Sequence, residues 1–290
     1  MIQFVLRFSK FFLALLTAML FSSCVKTYEF RGIDSVSGSG TVITQKREVT
    51  GNFDKIQVSS SLDVELEQAP TYEISVKADD NLLEYIVTEV EGNTLKIYFD
   101  NVSVANYKEA KIYVKTPEIS ELKASSSSEI EAKGTIISDE LTLKTSSTAD
   151  IKLDKVRAKN IDIEATSSSE IKVKEIYAVN IKAKTTSTAD FEAYIEADVI
   201  SAEASSSSDI ELKGKALELN ASTSSTATID AKELLVNHVT AASSSSSTIK
   251  THPILSLKAK ASSASSVYYY NEPKTIEKET SSAGSVKKNR

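Results

Sequence analysis

The phrase "ASSSSEI" at Ala124–Ile130 returns as "TSSTADI", "ATSSSEI", "TTSTADF" and "ASSSSDI", and weaker copies follow to the end of the chain. The apolar residue that closes each Ser/Thr run falls at Ile130, Ile151, Ile171, Phe191, Ile210, Ile229, Ile249, Val267 and Val286, at spacings of 18 to 21 residues. Nothing else constrains the fold as strongly, because a fixed period of this length marks a chain built by stacking one supersecondary unit on copies of itself.

Counting back from each closing residue, the fourth position is always serine, and the eighth is mostly small or apolar, from Leu122 to Ala259. The tenth holds Leu141, Ile161, Ile181, Ile200, Leu219, Val239, Leu257 and Ile276. Within a unit, apolar and polar residues alternate, as in Ile161-Asp162-Ile163-Glu164-Ala165, the pattern of a strand with one buried face. Each unit reads as two short strands. Hairpin repeats would need turn residues at every reversal, yet the whole chain has 8 Gly and 4 Pro. The pattern predicts an all-β, right-handed, single-stranded parallel β-helix, the hand that parallel crossovers favour. Advancing one inter-strand spacing of about 4.8 Å per coil, the eight intervals from Ile130 to Val286 make a rod about 38 Å long.

A strand running unbroken from the tenth position to the closing residue would be too long for one side of such a coil, so the chain must bend inside the Ser/Thr run. Small residues allow a tight corner, and hydroxyls can satisfy backbone groups left open by a bend. Two readings of the run stand: corner filler, or an exposed hydroxyl stripe used for binding. Because coils are about 4.8 Å apart and hydroxyl bonds need about 2.8 Å, bonds to carbonyls or waters are expected more than a direct Ser-to-Ser ladder.

The N-terminus "MIQFVLRFSKFFLALLTAMLFSSC" sets Arg7 and Lys10 before an apolar run and ends in small residues ahead of the single cysteine. Residues 1–23 read as a signal peptide, and "LFSSC" resembles a bacterial lipobox, which implies cleavage before Cys24 and its lipidation. Attachment to a membrane, specifically the bacterial outer membrane, would then be through that lipid. Without residues 1–23 the net charge moves from −6 to −8, which argues against nucleic acid as a partner.

Residues 24–40 read as a polar tether, 41–118 as an irregular N-terminal β capping part, 119–270 as the β-helix repeats and 271–290 as a C-terminal cap and tail. "DDNLLEYI" at Asp79–Ile86 suggests a short helical turn, and Tyr268-Tyr269-Tyr270 an end cap.

The stretch "REVTGNFDKIQVSSSLDVELEQ…ADDNLLEYI…GNTLKIYFDN" resembles the DUF2807 family, the head GIN domain ascribed to auto-transporter adhesins. The likeness rests on Phe53 and Ile56 before a strand, "VSSSLDVELEQ", "ADDNLLEYI" and the turn Gly92-Asn93-Thr94-Leu95. It implies a lipid-anchored or exported β-helical protein of the cell envelope, without an established activity and without an active site to carry over.

Few residues offer chemistry. His238 and His252 lie 14 residues apart without cysteine nearby, whereas a zinc or nucleophilic site needs converging groups. The position before each closing residue is more suggestive: Glu129, Asp150, Glu170, Asp190 and Asp209. Stacked on one outward face, five carboxylates about 4.8 Å apart repel one another. Solvation and screening, neighbouring Lys152, Lys172 and Lys174, or weakly bound Ca²⁺ could each relieve this. Otherwise no cofactor is expected. The leading expectation is a non-enzymatic envelope protein presenting a β-helical rod to a glycan or envelope polymer, facing either the periplasm or the outside. The alternatives are a carbohydrate-active β-helical enzyme, which would need a cleft of convergent acid, basic and aromatic groups, or a rigid spacer without a ligand.

Overall fold

The computed structural model of the chain describes residues 34–289. Residues 1–23, expected to be a signal peptide, and Cys24 lie outside the described residues. Apart from one turn of 3₁₀-helix at Asp80–Leu82, within the stretch that suggests a short helical turn, all regular structure among the described residues is β.

The first nine strands are β1 (Asp34–Ser37), β2 (Val42–Arg47), β3 (Lys55–Val58), β4 (Asp63–Gln68), β5 (Glu73–Asp79), β6 (Ile86–Glu91), β7 (Thr94–Phe99), β8 (Val102–Ala105) and β9 (Ala110–Thr116). The solenoid continues through β10 (Glu121–Ala124), β11 (Glu129–Thr145), β12 (Asp150–Thr166), β13 (Glu170–Thr186), β14 (Asp190–Ser205), β15 (Asp209–Thr223), β16 (Thr228–Ser243) and β17 (Thr248–Ala261). It ends in β18 (Ser266–Tyr269), β19 (Thr275–Thr280) and β20 (Ser285–Lys288).

Successive coils pair in parallel and in register. Ile130, Ile151, Ile171, Phe191, Ile210, Ile229, Ile249, Val267 and Val286 form one file. From Ile130 to Ile229 its members are at most 1% exposed. The tenth-position residues Leu141 to Ile276 form a second file. Such columns remove a continuous apolar surface from water, which no single coil could do.

Each coil has three sides rather than the two strands read from the sequence. The third inward file holds Ile136, Val156, Ile176 and Ile195. It escapes the sequence because the register shifts lie just before it, for example between Ala132 and Thr135, and between Val173 and Glu175. In the next coil that file reaches Gly214, at φ +109°, where a Cβ would stand 2.2 Å from the Ile195 carbonyl oxygen. Only glycine fits such a position.

The corner conformation explains the serines. Two consecutive residues in each Ser/Thr run take positive φ, from Ser126-Ser127 to Ser282-Ala283. The backbone ladder survives the bend, with Ser127 N–H donating to Ser147 O at 3.0 Å, Ser168 to Ser187 at 3.0 Å and Ser207 to Ser225 at 3.0 Å. Beneath the exposed pair, hydroxyls of adjacent coils do meet directly. They are diagonal, across columns: Ser169 with Thr145, Ser208 with Thr185 and Ser247 with Thr223, each at 2.8 Å and buried. The diagonal is shorter than the vertical rise would allow because the threonine ends one side of its coil and the serine begins the next. Bonds to carbonyls also occur, as from Ser265 Oγ to Ser243 O at 2.7 Å.

Three boundaries differ from expectation. Lys55–Gln68 already forms a coil with its own positive-φ corner at Ser60-Ser61, and β3 and β4 pair in parallel with β10 and β11. The next segment to be laid down, β7 and β9, pairs with the opposite edge of that coil, so the chain builds the second layer before the first. Antiparallel strands β6, β5 and β2 then close this end. The polar stretch read as tether joins the fold at β1, which heads into a clasp. Gly40 N–H donates to the buried Asp79 carboxylate at 2.8 Å, and a Cβ on Gly38 would lie 2.2 Å from Asp79 Oδ2. At the other end, β19 and β20 carry the parallel ladder to Lys288, and Tyr269 is buried beneath them.

Candidate functional site

The five acids singled out in the sequence come together as one file. Parallel register places Glu129, Asp150, Glu170, Asp190 and Asp209 on successive rungs, followed by Thr228, Thr248, Ser266 and Ser285. The file starts one rung earlier, at Asp63, which pairs with Glu129. Sequence reasoning missed Asp63, although "SSSLDV" repeats the corner phrase with Leu62 in the buried place.

Electrostatics show the crowding. Burial, then the neighbouring Glu129, raises the Asp63 pKa above the ordinary carboxylate value. Burial, then Asp209, does the same to Asp190. Lys152 bridges the lower rungs, 2.5 Å from Glu129 and 3.3 Å from Asp150. The other two lysines considered as neighbours turn elsewhere, Lys172 to Glu192 and Lys174 to Asp154. Among the described residues, no lysine or arginine lies within 4.0 Å of Glu170, Asp190 or Asp209, and no three His, Cys, Asp or Glu side chains gather as a metal-ligand set. The acids form a line, one per rung, rather than a cage.

Two residues before each acid stands the second member of the positive-φ pair. From Ser126 to Ala283 these pairs are exposed, and all but Ala264 and Ala283 carry hydroxyls. Left-handed backbone favours glycine or asparagine, so conformation does not by itself account for the hydroxyls. Some contact one another on the surface, as Ser207 Oγ and Thr226 Oγ1 do at 2.9 Å. A hydroxyl file and a carboxylate file therefore run side by side along one edge of the rod.

The histidines are apart from this edge and from each other. His238 Nδ1 lies 2.8 Å from Ser256 Oγ, and His252 Nδ1 lies 3.1 Å from the Lys232 carbonyl. A serine–histidine pair catalyses only when a third group orients the ring. Neither contact includes a carboxylate. Of the tyrosine cluster, Tyr269 serves as an internal cap, with Lys278 Nζ 4.6 Å above its ring.

Comparison with known proteins matches residues 52–175 and 162–273 to the family DUF2807, "Putative auto-transporter adhesin, head GIN domain". No curated protein sequence matches the chain. Among solved structures, a "putative adhesin" of Parabacteroides merdae is 21% identical, with a TM-score of 0.70 over 89% of this chain and 100% of that one. A "putative lipid binding protein" of Parabacteroides distasonis is 23% identical, with a TM-score of 0.69 over 89% and 100%. A "putative adhesin" of the same species is 21% identical, with a TM-score of 0.70 over 88% and 100%. At these identities the likeness is one of fold.

Proposed function

The chain belongs to the DUF2807 family, and on that premise we propose that it is a non-enzymatic, lipid-anchored adhesin of the bacterial outer membrane. Its contact surface is the edge where the exposed hydroxyls and the file Glu129, Asp150, Glu170, Asp190 and Asp209 run together. The observation that carries this reading is their repetition at one rung per coil. A line of weak, identical contacts gains avidity against a partner that is itself repetitive, which favours a glycan or envelope polymer over a small ligand. Ca²⁺ would strengthen such binding if it screens the carboxylate file.

The test is binding of purified envelope polysaccharide to the folded rod, with and without Ca²⁺. The wild type is compared with a variant carrying Gln or Asn at the five acids. The acid file is supported if the variant loses most of the binding; unchanged binding transfers the role to the hydroxyls, and a wild type that binds nothing leaves a spacer. Anchoring is tested separately. Cys24→Ala should leave an uncleaved precursor that takes up no labelled fatty acid, and protease treatment of intact cells distinguishes the outer face from the periplasm.

A further inference from the structure

A β-solenoid exposes open ladder edges wherever a coil is incomplete, and such edges pair readily with other chains. This protein guards both ends. Antiparallel β5 and β6 cover the N-terminal coil at β9 and β7, and β2 pairs with the outer edge of β5. In the last coil, Lys278 and Lys288 occupy inward columns, pairing with Ala259 and Tyr269 of the coil below. Inward charges are a recognised way of blocking edge-to-edge association.

One side of the rod is left incomplete. Strand β11 has neighbours on its N-terminal side only at Glu129–Ala132, against β4, and at Thr142–Thr145, against β10. Between them, Thr135 to Leu141 pairs with β12 alone. The missing neighbour is replaced at one point by a side chain. The Gln68 carboxamide accepts from Ile137 N–H at 2.7 Å and donates to Ile137 O at 2.9 Å, the two-point pairing of a strand partner. Beyond it, the edge borders a cleft of about 460 Å³. Ile137, 63% exposed, supplies apolar surface there beside the buried Ile119, and Asp54, Glu118, Asp139 and Glu140 supply four carboxylates. Among the described residues, none of these acids has a lysine or arginine within 4.0 Å; Asp54 accepts from Ser120 and Asn93, and Glu140 from Asn160.

We infer that this gap docks a short, extended, basic segment of a partner protein as an added strand. The edge beyond the Gln68 contact would supply backbone hydrogen bonds, the exposed Ile137 side chain would take an apolar side chain, and the acids would select lysine or arginine on alternate positions. Addition of a strand to an exposed edge, with side-chain pockets setting specificity, is a general mode of peptide recognition. The inference is independent of which file carries adhesion, since the cleft lies outside both stripes.

The probe is a fluorescent peptide of alternating Lys and Val, five residues long, titrated by anisotropy against the folded chain. Binding is expected, with affinity falling at least tenfold when the peptide backbone is N-methylated at alternate residues, and at least tenfold in the variant Glu118→Gln/Asp139→Asn/Glu140→Gln. A control of equal charge loss, Asp198→Asn/Glu203→Gln/Glu218→Gln, should bind as the wild type does. Absence of binding overturns the inference. So does equal affinity for the N-methylated peptide, which would mean charge attraction without strand addition, or an equal loss in the control variant.

Discussion

Ser169 Oγ lies 2.8 Å from Thr145 Oγ1 between two coils, both side chains buried. The same pair recurs two coils later, at Ser208 and Thr185, and again at Ser247 and Thr223. Intervening coils carry alanine at these places: Ala149, Ala165, Ala189, Ala204 and Ala227. The packing repeat of the core corner is thus two coils, about twice the period of the backbone.

Thr145→Val should therefore remove Ser169's side-chain partner but not its bond to Thr166 O at 2.8 Å, and destabilise the rod by about 0.5–1.5 kcal/mol, the usual net worth of one hydrogen bond. Ser169→Ala should cost a similar amount. The double variant should cost less than the two together, because both single variants lose the same hydroxyl–hydroxyl bond. Thermal melts of the three variants decide this, and strict additivity would show that the hydroxyls do not interact.

Ile171 sits in the closing file between Ile151 and Phe191, fully buried. Ile171→Ala should cost about 2–5 kcal/mol. Ile171→Asp should unfold the central coils, since a buried, unpaired charge costs several kcal/mol more. Circular dichroism at increasing urea reads both, and a near-wild-type midpoint for the Asp variant would refute the register.

Two carboxylates should respond to pH in opposite senses. Asp79 is buried, which alone would raise its pKa, but N–H donors from Gly40, Lys108 and Glu109 outweigh burial and hold it below the ordinary value. A group depressed in the folded state lends stability above its unfolded pKa and loses it as pH falls. Asp79→Asn should accordingly melt earlier at neutral pH and converge on wild type in acid. Asp190 is raised by burial and by Asp209, so its ionised form opposes folding at neutral pH, and that penalty is relieved as pH falls through its raised pKa. Asp190→Asn should melt later than wild type at pH 7, with the gain vanishing in acid. Melting temperatures between pH 3 and 7 check both signs.

Lys278 donates to the Tyr269 hydroxyl at 2.8 Å, and Lys288 pairs with Glu272 at 2.9 Å. Replacing both lysines by valine should turn the last coil into an unguarded apolar edge and produce concentration-dependent end-to-end association. Sedimentation velocity would detect it; a variant that stays as monodisperse as the wild type would show that the lysines do not terminate the stack.

The sequence by itself determined the stacking period, the parallel order of the coils and two of the three buried files. Each depends on local alternation between one Ser/Thr run and the next, which survives without knowledge of distant contacts. The corner phrase also located the acid file from Glu129 to Asp209. What it could not yield was anything set by where the chain goes after leaving a coil. The third side was hidden because one- to three-residue register shifts accumulate just ahead of it. Asp63 was hidden because its coil is followed by strands that fold back beneath it, so its neighbour Glu129 is 66 residues away in sequence. The open edge at Ile137 arises from the same detour, since the residues that would have completed that side were spent on β5 and β6. Hydrogen bonding and burial between such segments are non-local, and only the tertiary structure decides them.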